Sequence, residues 1–171
     1  MSSLPEGYVP PKVWELETSE SPAGSNNPVS GARKEQTLPV GDAPIQLYSL
    51  GTPNGLKISI MLEELKEVTD VSYDPWLIKF GELDQFGSDF VKINPNSKIP
   101  AMVDKDFDPP LRVFESGSIL LHLAQKYDAF IPKDAASRVE CMNWLFWQIG
   151  GAPFIGGGFG HFYHYAPIKI H

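Results

Sequence analysis

Cysteine is almost absent from this chain of 171 residues, which contains a single one, Cys141. One cysteine cannot form an internal disulfide, a Cys-x-x-Cys redox pair or a zinc site built from several cysteines. Because so few cysteines are typical of a protein kept in a reducing compartment, we expect a cytoplasmic protein. Cys141 lies beside Met142 and Trp144, and we interpret it as a structural residue without a chemical role.

Positive charge is also scarce, since 14 Lys and Arg residues stand against 21 Asp and Glu residues. Nucleic acids and anionic membranes both require a basic face, so neither is expected as a general partner. No apolar run reaches the roughly 18 residues that a membrane span requires. The N-terminus lacks the charged segment and apolar core of a signal peptide.

Residues 1–43 differ in composition from the rest and are rich in Pro, Ser, Gly and Asn. This composition predicts an irregular N-terminal extension. Its apolar residues Val13, Trp14 and Leu38 suggest that part of it packs on the remaining chain, and a mobile tail is the alternative.

The chain from residue 44 onward alternates between strand and helix patterns. We predict strands at 45–50, 71–78, 99–103 and 111–114, and helices at 56–68, 80–93 and 116–127. Pro75 indicates an edge position or a bulge for the second strand. The order β-α-β-α-β-β-α predicts an α/β domain with a partly parallel sheet and a terminal hairpin. The first helix has a predicted apolar face formed by Leu56, Ile60, Leu62, Leu65 and Val68.

A further helix is predicted over residues 135–150, followed by a stretch of glycines and aromatics at 156–165. One helix and such a stretch bury little surface by themselves, so residues 135–171 are expected to be an incomplete helical domain. His161 and His164 have no third ligand nearby, and no metal is expected.

The first candidate site motif follows the first strand and reads Thr52-Pro53-Asn54-Gly55-x-Lys57. A helix N-terminus stabilises a thiolate, which can belong to the protein or to a ligand. The Thr52 hydroxyl and the Asn54 amide can donate hydrogen bonds to such a sulfur. The alternative is an ordinary capped helix start.

The second motif, Asn94 to Pro100, enters the third strand. Pro100 can be cis, and Ile99 would then offer its N–H and C=O to an extended peptide, with the charge of Lys98 beside it. A turn followed by an edge strand is the alternative.

The third motif is Phe114-Glu115-Ser116-Gly117-Ser118. Ser116 at a helix start suits a carboxylate, and Glu115 suits an ammonium group. Together they describe a receptor for an α-amino acid, and a helix cap with one exposed acid is the alternative.

These motifs, in this order, resemble the N-terminal domain of glutathione transferases. The wider match, through NWLFWQ and GGGFGHFYHYAP, resembles the bacterial nu-class branch of that family, which is similar to fungal Ure2-type proteins. The resemblance implies a thioredoxin-like domain over residues 44–130, followed by the beginning of an all-α C-terminal domain.

The resemblance also implies a ligand, glutathione, acting as substrate or co-substrate without a metal. Glu115 and Ser116 would hold its γ-glutamyl group, and Ile99 with Pro100 its cysteinyl backbone. Thr52 and Asn54 would lie by the sulfur as the catalytic residues. Further contacts are implied by the positions of Lys98, near the glycine end, and Gln85.

Two functions follow from this resemblance. The first is a glutathione-dependent disulfide-bond reductase with possible transferase activity on small disulfide or electrophilic substrates, in a homodimer once the helical domain is complete. The second is a non-catalytic glutathione-binding or regulatory module.

Overall fold

The computed structural model describes residues 30–165. Val13 and Trp14 of the predicted extension lie outside these residues. The strands are β1 (Ile45–Ser49), β2 (Tyr73–Leu77), β3 (Ala101–Asp104) and β4 (Leu111–Phe114). The helices are α1 (Pro53–Val68), α2 (Ser88–Ile93), α3 (Ser116–Lys126) and α4 (Ala135–Pro153). Two short 3₁₀ turns, Phe80–Glu82 and Asp84–Phe86, connect β2 to α2, and α4 continues into π-helical turns, Phe154–Phe159 and His161–Tyr165.

The four strands form one mixed sheet in the order β2-β1-β3-β4. β1 pairs in parallel with β2, and the β3–β4 hairpin adds two antiparallel pairings. β2 is an edge strand, which fits Pro75, because proline lacks the N–H needed in a central strand. The order of elements confirms the predicted α/β arrangement.

Helices cover both faces of the sheet. Successive residues of a strand point to opposite faces, so Ile45 and Leu47 pack with α1 and α3, while Tyr48 packs with α2 on the other face. The first core contains buried side chains from both helices, namely Ile58, Leu62, Leu65, Ile119 and Leu123. The second core contains Phe90, Ile93 and Leu38, the last of which belongs to the N-terminal extension.

The predicted apolar face of α1 was only partly correct. Leu62 and Leu65 are fully buried, whereas Leu56, Ile60 and Val68 are 51%, 60% and 60% exposed. The apolar residues of α1 therefore do not all face the sheet. Ile60 instead lines an open cavity of about 400 Å³ between α1 and α3, together with Lys57, Met61, Glu64, Leu120 and Phe130.

Several element boundaries also differ from the predictions. Helix α1 begins at Pro53, within the predicted turn, because Thr52 caps it and proline suits the first helical position. The single helix predicted over 80–93 is two 3₁₀ turns followed by a short α-helix. Leu83 between those turns has a φ of 57°, a left-handed conformation that interrupts a continuous helix.

Helix α4 is long and carries three exposed aromatic side chains, Trp144, Phe146 and Trp147, at 59%, 67% and 68% exposure. It packs on α3 where Gly117 lies against Ile149. Between residues 30 and 165, no helix has both the length and the apolar character needed to cross a bilayer.

Candidate functional site

The pairing registers bring three chain segments to one end of the sheet. Tyr48 of β1 lies opposite Ala101 of β3, and Ala101 lies opposite Phe114 of β4. Because β3 is antiparallel to both neighbours, this row is near the end of β1 and β4 and at the start of β3. The residues just beyond the row therefore share one edge of the sheet, and they include Thr52, Asn54, Ile99, Pro100, Glu115 and Ser116.

Thr52 is the N-cap of α1. Its Oγ1 accepts a hydrogen bond from the N–H of Gly55 at 3.2 Å. The capped helix start considered above is thus present, but the cap uses only one acceptor position of the Thr52 hydroxyl. A hydroxyl has one donor and two acceptor positions, so the Thr52 O–H still has a proton to donate.

The first turn of α1 leaves donors at Asn54. Pro53 has no N–H, and the N–H of Gly55 is used by the cap. Within the part of the chain that the structure describes, no hydrogen bond joins the Asn54 side chain to another residue. The backbone N–H and side-chain amide of Asn54 therefore lie at the positive end of the helix dipole.

The second motif forms a tight turn before β3. Asn94 is 1% exposed, and its Nδ2 donates to the carbonyl of Lys98 at 2.6 Å. The Ile99–Pro100 peptide bond is cis. Among the described residues, no backbone hydrogen bond involves Ile99. Lys98 is partly buried, and this burial lowers the pKa of its ammonium group.

The third motif has an unusual backbone. Glu115 is exposed and has a φ of 70°, a conformation that non-glycine residues rarely adopt. It is the N-cap of α3, yet its side chain makes no capping hydrogen bond. Ser116, the first residue of α3, is 7% exposed. The N-terminal N–H groups of α3 and the Ser116 hydroxyl thus lie beside an acid that the helix does not use.

Gln85 lies beyond this row, in the second 3₁₀ turn, and is 2% exposed. The connector that carries it starts at the same edge, since the N–H of Ile78 donates to the carbonyl of Ser49 at 2.9 Å. Asp84 folds the connector back, because its Oδ2 accepts from the N–H of Lys79 at 2.9 Å.

One contact near the site was not predicted. Lys57 Nζ donates to Oε1 of Gln148 in α4 at 3.0 Å, and burial lowers the pKa of Lys57. Lys57 belongs to the first motif, but a partner 91 residues later leaves no local signal in the sequence. Helix α4 is thereby tied to the start of α1.

The same edge carries polar groups that can hold a ligand. Across residues 30–165, no three His, Cys, Asp or Glu side chains are grouped so as to hold a metal ion. The groups present are hydroxyl, amide, carboxylate and lysine side chains with open backbone positions, and all of them bind by hydrogen bonding or charge.

Comparison with known proteins gives consistent matches. A family model described as glutathione S-transferase, N-terminal domain, matches residues 43–125. Disulfide-bond oxidoreductase YghU of Escherichia coli is 62% identical over 167 residues, covering 95% of this chain and 58% of that protein.

Two solved structures are also similar. The glutathione transferase YghU from Streptococcus pneumoniae, complexed with glutathione, is 55% identical with a TM-score of 0.88, covering 96% of this chain and 64% of that one. A glutathione transferase from Burkholderia graminis, with two glutathione molecules bound per subunit, is 45% identical with a TM-score of 0.67, covering 72% and 51%.

The chain spans about three fifths of the length of two curated relatives that it matches, 58% of one and 64% of the other. Within that span, the family match begins just before β1 and ends within α3, so it includes the three segments that meet at the sheet edge. Over residues 43–125, this chain is similar to the N-terminal domain of glutathione S-transferases.

Proposed function

We propose that the chain binds glutathione at the sheet edge described above and uses it to reduce small disulfides. The observation that carries this proposal is the meeting of three motifs in one row across β1, β3 and β4. Two strand spacings measure about 10 Å, and an extended tripeptide also spans about 10 Å. The row is therefore long enough for one glutathione molecule.

The γ-glutamyl end would bind at α3. Its carboxylate would accept hydrogen bonds from the Ser116 hydroxyl and the first N–H groups of α3, at the positive end of the helix dipole. Its ammonium group would pair with Glu115, whose side chain no capping bond occupies. The strained φ of Glu115 supports this role, since such strain concentrates at binding sites.

The cysteinyl part would lie between Ile99 and the start of α1. Ile99 has an open backbone position for pairing with the peptide, as in strand addition. The sulfur would receive donors from Thr52 and Asn54. A free thiol has a pKa of about 8.5, and a helix N-terminus lowers it and increases the thiolate fraction at neutral pH.

The glycine end would extend toward Lys98, and Gln85 would contribute a further contact. The partial burial of Lys98 strengthens a charge pair with the glycine carboxylate, because nearby water screens it less.

The reaction would proceed by two thiol–disulfide exchanges. The bound glutathione thiolate attacks one sulfur of the substrate disulfide, and the S–S bond breaks to release a thiolate that takes up a proton. A second glutathione thiolate then attacks the glutathione sulfur of the mixed disulfide, releasing the second thiol and glutathione disulfide. Two glutathiones are oxidised for each disulfide reduced. The Burkholderia relative with two bound glutathiones supports a site of this capacity.

The remaining assignments belong to the same proposal. Residues 1–43 form an extension, 44–130 the glutathione-binding domain and 135–171 the beginning of a helical domain. The exposed aromatics of α4 favour burial against further helices and in a homodimer. The cytosol, which contains a glutathione pool, suits the reaction.

The test is a titration with glutathione by calorimetry, followed by turnover of hydroxyethyl disulfide with glutathione as reductant. We expect binding and turnover by the chain. Asn54→Ala should lower kcat/KM about 10-fold or more, because a hydrogen bond to a charged group contributes about 1.5–3 kcal/mol. Cys141→Ser is the matched control and should retain full activity.

Two outcomes would revise the proposal. Binding without turnover would identify a glutathione-binding module with no reductase activity. Absence of binding by the folded chain would contradict both readings.

A further inference from the structure

The last part of the N-terminal extension lies along the connector that carries Gln85. We term residues 31–38 the strap. Three backbone hydrogen bonds join the strap to residues 86–89, with N···O distances of 2.8, 2.9 and 3.2 Å. A parallel β-bridge pairs Lys34 with Gly87, and the strap ends at Leu38, which is buried. The strap is thus held against the connector by one β-bridge, three backbone hydrogen bonds and a buried leucine.

Asp84, the residue before Gln85, joins the strap to the connector. Its Oδ1 accepts from Gln36 Nε2 at 2.8 Å and from Lys34 Nζ at 3.3 Å. Its Oδ2 accepts from the backbone N–H of Lys79. Asp84 is 6% exposed, so the hydrogen bonds of this carboxylate lie in a water-poor environment. The strap and the turn of the connector therefore depend on the same side chain.

The other end of the strap contacts the residue before Lys98. The N–H of Gly31 donates to Ser97 Oγ at 3.0 Å. Ser97 is 1% exposed and has a φ of 55°, so its backbone is held in a left-handed conformation. The strap therefore contacts Asp84, which precedes Gln85, and Ser97, which precedes Lys98. Gln85 and Lys98 are the two residues proposed to bind near the glycine end of glutathione.

We propose that the strap positions Gln85 and Lys98, and that it determines the preference of the site for the tripeptide over γ-glutamylcysteine, which lacks the glycine. This inference rests on the proposed function. The strap precedes residue 43, where the family match begins, so the device lies outside the part of the chain that the family model matches. Neither Lys34 nor Gln36 needs to touch the ligand, and both are positioning residues.

The test compares the double variant Lys34→Ala/Gln36→Ala with the unchanged chain. Calorimetric Kd values are measured for glutathione and for γ-glutamylcysteine at 10 °C, with circular dichroism to verify that the variant is folded. We expect the Kd for glutathione to rise about 10-fold, in line with the loss of charged hydrogen bonds. The Kd for γ-glutamylcysteine should change less than twofold, since that ligand does not reach the glycine end.

A matched control is Gln125→Ala/Lys133→Ala, which removes the same two residue types from exposed positions on α3 and the following connector. It should leave both Kd values unchanged. Lys34→Ala alone is the milder variant if the double variant does not fold, and Lys34→Arg should restore the preference.

Equal weakening of both ligands would indicate a merely structural role for the strap and would overturn the inference. Unchanged binding of both ligands would overturn it as well, while the proposed function would stand because the unchanged chain binds glutathione. If the unchanged chain binds neither ligand, the proposed function fails and the inference fails with it.

Discussion

Helices α3 and α4 are both rich in apolar residues, yet they differ in how much of their apolar surface is buried. α3 buries Ile119 and Leu123 completely against the sheet, and its polar side chains Lys126 and His122 bond to the buried Asp104. α4 leaves most of its aromatic side chains exposed. An apolar helix face is therefore only an indication that some surface covers it. For α3 that surface is the sheet, and for much of α4 it is not among residues 30–165.

Polar contacts, in addition to apolar packing, hold α3 against the sheet. Lys126 Nζ lies 2.7 Å from both carboxylate oxygens of Asp104, and His122 Nε2 lies 2.8 Å from Oδ2. Asp104 ends β3 and is fully buried. This cluster fixes α3 lengthwise against the sheet, whereas α4 is joined to the domain at Gln148 and Ile149.

The largest effect is expected from Lys126→Met, which leaves the buried Asp104 carboxylate with His122 and the backbone N–H of Asp106 as partners but without its cation. Removing one partner of a buried ion pair costs about 3–5 kcal/mol. Urea unfolding should show a loss of free energy of unfolding in this range. Lys133→Ala, which removes an exposed pair with Asp128, is the control and should cost at most about 1 kcal/mol. A loss for Lys126→Met as small as that of the control would contradict the assigned role.

Lys126→Met should also change the pH at which the chain unfolds in acid. Burial raises the pKa of Asp104, but hydrogen bonds from Lys126 and His122 outweigh it, so the pKa lies below its usual value. The stabilising contribution is therefore complete above the unfolded pKa of about 3.9 and is lost as the pH falls through the lower folded value. In Lys126→Met the pKa of Asp104 should rise, and the acid unfolding midpoint followed by circular dichroism should move to higher pH.

Leu123→Ala tests the apolar attachment of α3. Leu123 is fully buried in the core between the sheet and α1, and truncating such a side chain costs about 2–5 kcal/mol. Urea unfolding should give a loss of about 3 kcal/mol, near the middle of that range. A loss below about 1 kcal/mol would show that this helix is as loosely held as α4.

Gly117→Val tests the contact between the two helices. A Cβ at Gly117 would lie 2.8 Å from Cγ1 and 3.0 Å from Cδ1 of Ile149, so the Ile149 side chain or the whole of α4 must shift to accommodate it. Overpacking of this kind costs about 1–3 kcal/mol. Ile149→Ala should relieve most of that loss in the double variant. An equal loss with and without Ile149→Ala would place the strain elsewhere.

The smallest effect is expected for Phe146→Ala. Phe146 is 67% exposed on α4, and exposed substitutions generally change stability by less than about 0.5 kcal/mol. Urea unfolding of the 171-residue chain should show no larger loss. A loss of about 2 kcal/mol or more would show that α4 is already covered, and sedimentation would then test whether a second copy covers it.

The sequence predicted elements best where periodicity and composition agree, as in β1 and α3. It misjudged the start of α1, because Asn54 and Gly55 are typical turn residues, although Thr52 followed by Pro53 is also a typical helix start. Periodicity could not distinguish Leu62, which faces the sheet, from Ile60, which faces a cavity. Both are apolar and lie on neighbouring parts of one helix.

The residue types of the candidate site could be predicted from the sequence, but the contacts that position those residues could not. The three motifs each carry local signals of turns and helix starts. The strap carries none, because Gln36 and Asp84 are 48 residues apart and each is an ordinary polar residue by itself. Contacts of this separation depend on how the whole domain packs, which a local pattern does not contain.

The φ of Glu115 has a consequence for engineering. A protocol that ranks substitutions by folding stability alone would favour glycine at this position, because a left-handed φ in a non-glycine residue costs about 1–3 kcal/mol. Such a variant would gain heat tolerance and lose the carboxylate that is proposed to pair with the ammonium group of glutathione. A thermostable redesign of this chain should therefore keep residue 115 fixed and seek its gains elsewhere.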